Sequence, residues 1–179
     1  MIWFGIAVAA FAGENRYWDE AKLLQDMFPT ADIVEPVAWH IDDETREAAQ
    51  KLLNYRLAPD WTWYRAMTDG VVIGFAVFDQ QVGQHQPISF AVQVDPAGTL
   101  VRHEIVVYRE SFGDGVRDPR FRAQFIGRTA ADPLVAGRDI KIVSGSTVSS
   151  KSMAIGVRRV LVLARLFVAS SAASLPPQP

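Results

Sequence analysis

Residues 141–152 read K-I-V-S-G-S-T-V-S-S-K-S, and six of these twelve side chains carry a hydroxyl. The one glycine, Gly145, lies among them, between a β-branched pair and a long apolar stretch. Glycine adopts the positive φ that a sharp turn demands. A helix start leaves backbone N–H groups unpaired and carries positive potential. The stretch therefore predicts a strand, Lys141 to Val143, a turn, and a helix capped by Ser149 or Ser150 and running to about Ala169. Ile155, Val157, Val160, Leu161 and Ala164 would form its buried face. Such a junction is fit to hold a phosphate group, or to be joined to one.

A nucleotide-hydrolysing phosphate loop is the obvious rival, because Gly145 to Ser152 matches G-x-x-x-x-G-K-[ST] except that Ser150 replaces the second glycine. That glycine lets the backbone wrap the phosphates, and serine does not take its place freely at positive φ. Only the final helix and tail follow, so no later strand supplies a magnesium-binding aspartate. The rival fails on both counts.

Working outward, the chain before this turn is strand-rich. Val71 to Phe78 reads as a buried strand, with Gly74 marking close approach by another backbone or a ligand. In I-S-F-A-V-Q-V, Ile88, Phe90, Val92 and Val94 alternate with Ser89, Ala91 and Gln93, the pattern of a half-buried strand. Asp95–Gly98 is a turn and Leu100 to Tyr108 the returning strand. Residues 118–127 read as a short helix or irregular segment with Phe121 and Phe125 inward. Two amphipathic helices precede the sheet, in residues 15–28 and 42–57, so residues 13–65 read as an N-terminal helical region. Residues 58–63 read as a loop carrying Trp61 and Trp63, the tryptophans expected to be exposed. The fold class is α+β: an antiparallel sheet with packed helices, the last helix starting at the hydroxyl turn.

Composition excludes several chemistries. A formal net charge of −2, with no Lys/Arg cluster, argues against nucleic acid. The absence of cysteine removes disulfides, thiolate zinc and iron–sulfur clusters. His40, His85 and His103 lack ligand spacing, so no metal site is expected. Residues 1–12 form an uncharged apolar run ending in Ala10-Phe11-Ala12, read either as a signal or short anchor or as a first core element. Residues 170–179 read as a disordered tail.

Three motifs together resemble a family. The stretch D-I-K-I-V-S-G-S-T-V-S-S-K-S, from Asp139, is similar to the acceptor turn of the FMN-binding domain of Rnf-type and sodium-pumping quinone-reductase subunits and of small exported flavoproteins. Y-R-E-S-F-G-D-G, Tyr108 to Gly115, resembles that family's Glu-Thr-x-Gly-x-Gly loop, and R-F-R-A-Q-F-I-G, Arg120 to Gly127, its Gln-Phe-x-Gly segment. The order agrees, and the likeness covers roughly residues 66–167, within a domain of 66–169. It departs at Ser146, where the pattern has alanine, and at Lys141, where an acid is frequent and Asp139 stands two residues earlier.

The resemblance implies FMN joined by a phosphoester to Thr147, attached by a flavin transferase from FAD with magnesium. Ser144, Gly145, Ser146 and Ser149 would line the phosphate, although Gly145 serves equally for the turn alone and Thr147 for a plain helix cap. Gly113 and Gly115 would admit the isoalloxazine edge, or belong to an ordinary loop. Glu110 would hydrogen-bond the ring, or pair with Arg109 or Arg117. Gln124 and Phe125 would contact the ring, Phe125 being a core residue first. The implied function is a periplasmic or extracytoplasmic, membrane-associated electron carrier serving a redox partner protein or a membrane electron-transfer complex. An FMN-dependent reductase of a small acceptor and a flavin-free binding module of the same fold are the alternatives.

Overall fold

The computed structural model describes residues 14–174; the apolar run at residues 1–12 and the end of the tail lie outside them. Six antiparallel strands form one sheet: β1 Asn15–Arg16, β2 Ile33–His40, β3 Asp60–Thr68, β4 Val71–Val82, β5 Pro87–Val94 and β6 Leu100–Tyr108. The spatial order is β1-β6-β5-β4-β3-β2, so β2 to β6 form a meander and β1 closes the β6 edge. Among the described residues four α-helices complete the fold: α1 Glu20–Met27, α2 Asp43–Leu53, α3 Pro119–Arg122 and α4 Thr147–Ser174.

The alternation of β5 sorts the core into two layers. Ile88, Phe90, Val92 and Val94 face α4, whose Met153, Val157, Val160, Leu161 and Ala164 are buried against them. Ala91 faces the opposite side with Ala66 and Ala76 of neighbouring strands, and these small side chains admit Leu23, Met27 and Phe28 of the α1 segment. Gly74 serves the same approach: a Cβ there would stand 2.8 Å from Val94 O and 3.1 Å from the Phe28 ring. The close approach is thus by backbone and core, not ligand.

Arg159 is fully buried in α4 yet bonds Asp79 Oδ2 (2.7 and 2.9 Å), Gln81 Oε1 (2.7 Å) and Gln80 O (2.9 Å), with its guanidinium over the Tyr55 ring. A buried ion pair seldom adds net stability, but its directional bonds fix how a helix sits on a sheet.

Several expectations are corrected. Residues 13–65 are not simply helical: α1 and α2 are present, but β1, β2 and the start of β3 lie there too. β2 escapes notice because it is an edge strand interrupted by Pro36, a residue that edge positions tolerate. Trp61 and Trp63 sit on β3 and not on a loop; Trp63 is fully buried, stacked 4.8 Å from Phe167. Lys141 to Val143 forms no strand, the nearest pairing being an isolated bridge between Ala136 and Ile140. Ile155 is exposed, and α4 runs through residue 174, into the segment read as a disordered tail. Among the described residues no helix is long and apolar enough to cross a membrane.

Gly156 lets α4 approach the sheet closely: an added Cβ would lie 2.9 Å from the Phe90 ring and 3.2 Å from Gln81 Cβ. Gly156→Val should therefore overpack the layer and cost about 1–3 kcal/mol in urea unfolding. A midpoint equal to that of the parent would contradict this helix–sheet contact.

Candidate functional site

The hydroxyl-rich turn begins at Val143. Ser146 N–H donates to Val143 O (3.0 Å), and Gly145, third in this four-residue turn, has φ +75°. A turn with positive φ at that position calls for glycine. Nothing lies within 4 Å of the Cβ that Gly145 lacks, so its face is open. The helix then starts earlier than sequence reasoning placed it: Thr147 is its first residue and Ser150 N–H donates to Ser146 O (2.8 Å). The N–H groups of Thr147, Val148 and Ser149 accordingly have no acceptor inside the helix.

The expected cap is corrected as well. Ser150 is fully buried and its Oγ accepts from Val143 N–H (3.2 Å), tying the strandless segment to the helix. Ser149 is buried with its hydroxyl 2.9 Å from Tyr108 Oη. Ser146 and Ser152 are buried too. Of the six hydroxyls in this stretch, only those of Ser144 and Thr147 belong to exposed residues.

The Glu-Gly loop is clamped onto this helix start. Tyr108 Oη donates to Phe112 O (2.6 Å), which spends its single proton, so Ser149 donates to Tyr108. Burial pushes the phenol above its ordinary pKa despite the Ser149 bond, and it stays a donor at neutral pH. Gly113, at φ +91°, leaves room that Ser149 Oγ and Tyr108 Oη fill, 2.7 and 2.8 Å from where a Cβ would stand. Gly115 does the same for Ser146 Oγ (2.7 Å) and Val143 Cγ1 (2.8 Å). Both glycines thus let protein approach protein on the side a Cβ would occupy.

Glu110 is aimed at the β4–β5 turn, where its Oε1 accepts from His85 N–H (2.6 Å) and Gln86 N–H (3.0 Å). Burial works to raise its pKa, but the N–H groups of Gln86, His85 and Gln84 outweigh it and hold the carboxyl below its ordinary value. Neither arginine pairs with it: Arg109 bonds Glu14, Pro87 O and Ser89, and Arg117 lies over the Tyr17 ring. Gln124 reads the Lys141 backbone like a paired strand, Oε1 accepting from N–H (2.7 Å) and Nε2 donating to C=O (3.3 Å). Phe125 is fully buried, edge-on to Phe121 and His103. Asp139 accepts from Val135 N–H and pairs with Arg138, so its carboxylate is committed.

Beside the turn lies an open cleft of about 590 Å³ lined by Phe121, Gln124, Lys141, Ile142 and Val143, with the Asp118–Arg120 pair at its rim. Its size falls in the range of small-molecule sites. Ser144, Gly145, Ser146, Thr147 and Ser149 are thus brought together with Gly113 and Gly115, and Gln124 with the cleft. Glu110 faces away into a hairpin, and Phe125 faces the core. Sequence reasoning missed Tyr108, the hub of the clamp, whose only signal was a polar-tipped aromatic closing an apolar strand. It also missed Phe112, which is 87% exposed on the clamped loop.

An antiparallel meander carrying a long C-terminal helix defines a known architecture. The chain is similar to the crystal structure of Shewanella oneidensis NqrC, with a TM-score of 0.57 and 18% identity over 84% of this chain and 88% of that one. It also aligns, at a TM-score of 0.45 and 14% identity, with a subunit of the Na⁺-translocating NADH-quinone reductase of Parabacteroides distasonis, over 80% of this chain and 84% of that one. No family model and no curated protein matches the sequence. The fold class expected from sequence is therefore the observed one, and it is the fold of NqrC.

Two outcomes test the clamp. Gly113→Ala should be more destabilising than Gly145→Ala, because both strain a left-handed backbone but only the first meets atoms. Expected costs are about 2–3 and about 1 kcal/mol, and equal costs would dissolve the clamp. Glu110 supplies the second outcome. Its lowered pKa means its stabilisation is present above its ordinary value of 4.5 and is lost as pH falls through the lowered one. The unfolding midpoint of the parent should therefore fall more steeply in that acid window than that of Glu110→Gln; parallel profiles would contradict the assignment.

Proposed function

We propose that this protein is an extracytoplasmic electron-transfer flavoprotein carrying FMN joined by a phosphoester to Thr147. The observation that carries the reading is the exposure of Thr147 at the helix start, where Ser144 is the one other exposed hydroxyl of the stretch. Thr147 is the first residue of a 28-residue helix, it follows an open left-handed glycine, and the serines at 146, 149, 150 and 152 are buried around it. A flavin transferase, approaching from solvent with FAD and magnesium, would find the Thr147 and Ser144 hydroxyls and no others in the stretch. The Thr147 Oγ1–phosphorus bond would form as the pyrophosphate bond of FAD breaks, with AMP leaving and the hydroxyl proton released.

The chain's own residues would then do three things. The unpaired N–H groups of Thr147, Val148 and Ser149 offer donors and positive potential to the phosphate. The Tyr108–Ser149–Gly113 clamp holds the turn still. The cleft beside Gln124 and Val143 offers a wall for the ring. When bound, the isoalloxazine supplies the redox chemistry, and the protein fixes its position and tunes its potential. The fold shared with NqrC supports a role beside a membrane electron-transfer complex. The Ala10-Phe11-Ala12 pattern after an apolar run supports export. We read a carrier and not a self-sufficient enzyme: the charged residues lining the cleft are Lys141 and the paired Asp118 and Arg120, and they form no acid–base couple beyond that rim pair.

Co-expression with a flavin transferase should add the mass of FMN less one water to a peptide containing Thr147. Thr147→Ala should abolish the addition, whereas Ser144→Ala and Ser146→Ala should keep it. Labelling that survives Thr147→Ala and disappears in Ser144→Ala would move the attachment to the other exposed hydroxyl. A protein that takes up no flavin in any form would leave the binding-module alternative.

A further inference from the structure

We propose that the cavity between the β1–α1 segment and β6 is a binding site for a phosphate-class dianion, separate from the hydroxyl turn. This cavity, of about 280 Å³, is lined by Tyr17, Trp18, Arg102, Glu104, Arg117 and Arg122, and its walls are almost wholly polar. Three guanidinium groups meet there, and two carboxylates answer them. Glu104 pairs with both Arg102 (3.0 Å) and Arg122, and Asp26 pairs with Arg102 (2.7 Å). Arg117 makes no ion pair among the described residues; its guanidinium lies 3.4 Å from the centre of the Tyr17 ring. One positive charge is therefore left over.

The donors are also left over. Arg122 uses Nε on Arg117 O (3.0 Å) and Nη1 on His103 O (3.2 Å) and Glu104. Arg102 uses Nε on Glu104 and Nη1 on Asp26. No hydrogen bond among the described residues engages Nη2 of either one, or any guanidinium nitrogen of Arg117. Planar forks held at one end by carboxylates and backbone carbonyls are pre-ordered, so little side-chain entropy remains to be lost on binding. Tyr17 and Trp18 carry the stacking that holds Arg117 and Arg102 in place, Arg102 lying 5.6 Å from the Trp18 ring centre. An oxyanion with several acceptor oxygens matches this array better than a halide, because two oxygens of one group can take the paired N–H bonds of a planar fork and a single halide centre lacks that geometric match.

The shared chemistry is a phosphate group, supplied either by a soluble phosphate or by a lipid headgroup. Titration calorimetry of the full chain with inorganic phosphate, against chloride at equal ionic strength, reads the first source. Co-sedimentation with vesicles containing phosphatidic acid, against neutral vesicles, reads the second. Arg117→Gln is the deciding variant, because the side chain is exposed, holds no carboxylate and can be lost without unfolding. Binding in either arm that weakens about tenfold or more in Arg117→Gln, the loss of one charge-assisted contact, and is unchanged in Thr147→Ala, supports the site. Binding that survives Arg117→Gln but fails in Thr147→Ala places the anion at the hydroxyl turn and overturns the proposal. So does the absence of binding in both arms.

Discussion

Tyr108 Oη, at the end of the sheet, holds the Phe112 carbonyl of the following loop and, 41 residues further along the chain from Tyr108, the Ser149 hydroxyl in the first turn of α4. Everything about the candidate site depends on that junction. Without it the Glu-Gly loop would be an ordinary surface loop and the start of α4 a fraying helix end. With it, Gly113 and Gly115 lie directly on Ser149 and Ser146, and those serines turn inward. Thr147, between them in sequence, is left on the solvent side. Exposure of one hydroxyl is thus a consequence of burying its neighbours.

The same constraint organises the segment before the turn. Residues 141–143 make no strand, yet they are held by side chains that imitate one, Gln124 on one side and Ser150 on the other. Such side-chain pairing of backbone satisfies the peptide groups without extending the sheet. It also leaves the Lys141–Val143 face open to the cleft.

Much of this was legible in the sequence where periodicity and turn chemistry agree. The β5 alternation, the Asp95–Gly98 turn and the bounds of β6 follow from pattern alone, but β5 is buried on both faces and not half-buried, because the α1 segment covers the face of Ala91 that its pattern left open. The turn at Gly145 and the nearness of the three motifs were also readable. What escaped depends on tertiary partners. β2 alternates only in its second half, Val37 and Trp39 inward against Ala38 and His40, and Pro36 disguises it. Trp63 looked exposed because its burial comes from Phe167, more than a hundred residues later. Ser149 and Ser150 looked like caps because nothing local reveals that Tyr108 and Val143 claim their hydroxyls. Glu110 matched a motif, but its carboxylate serves a hairpin that no linear pattern links to it.

The central claim is the covalent bond at Thr147, and the phosphorus itself reports it most directly. A phosphate monoester titrates with a second pKa near about 6, whereas a diester has no proton to lose in that range. The ³¹P resonance of the flavin-loaded protein should therefore stay fixed between about pH 5 and about pH 8, and should be missing from Thr147→Ala after gel filtration. A resonance that shifts through that window would show a monoester held without a bond, and would contradict the account of Thr147.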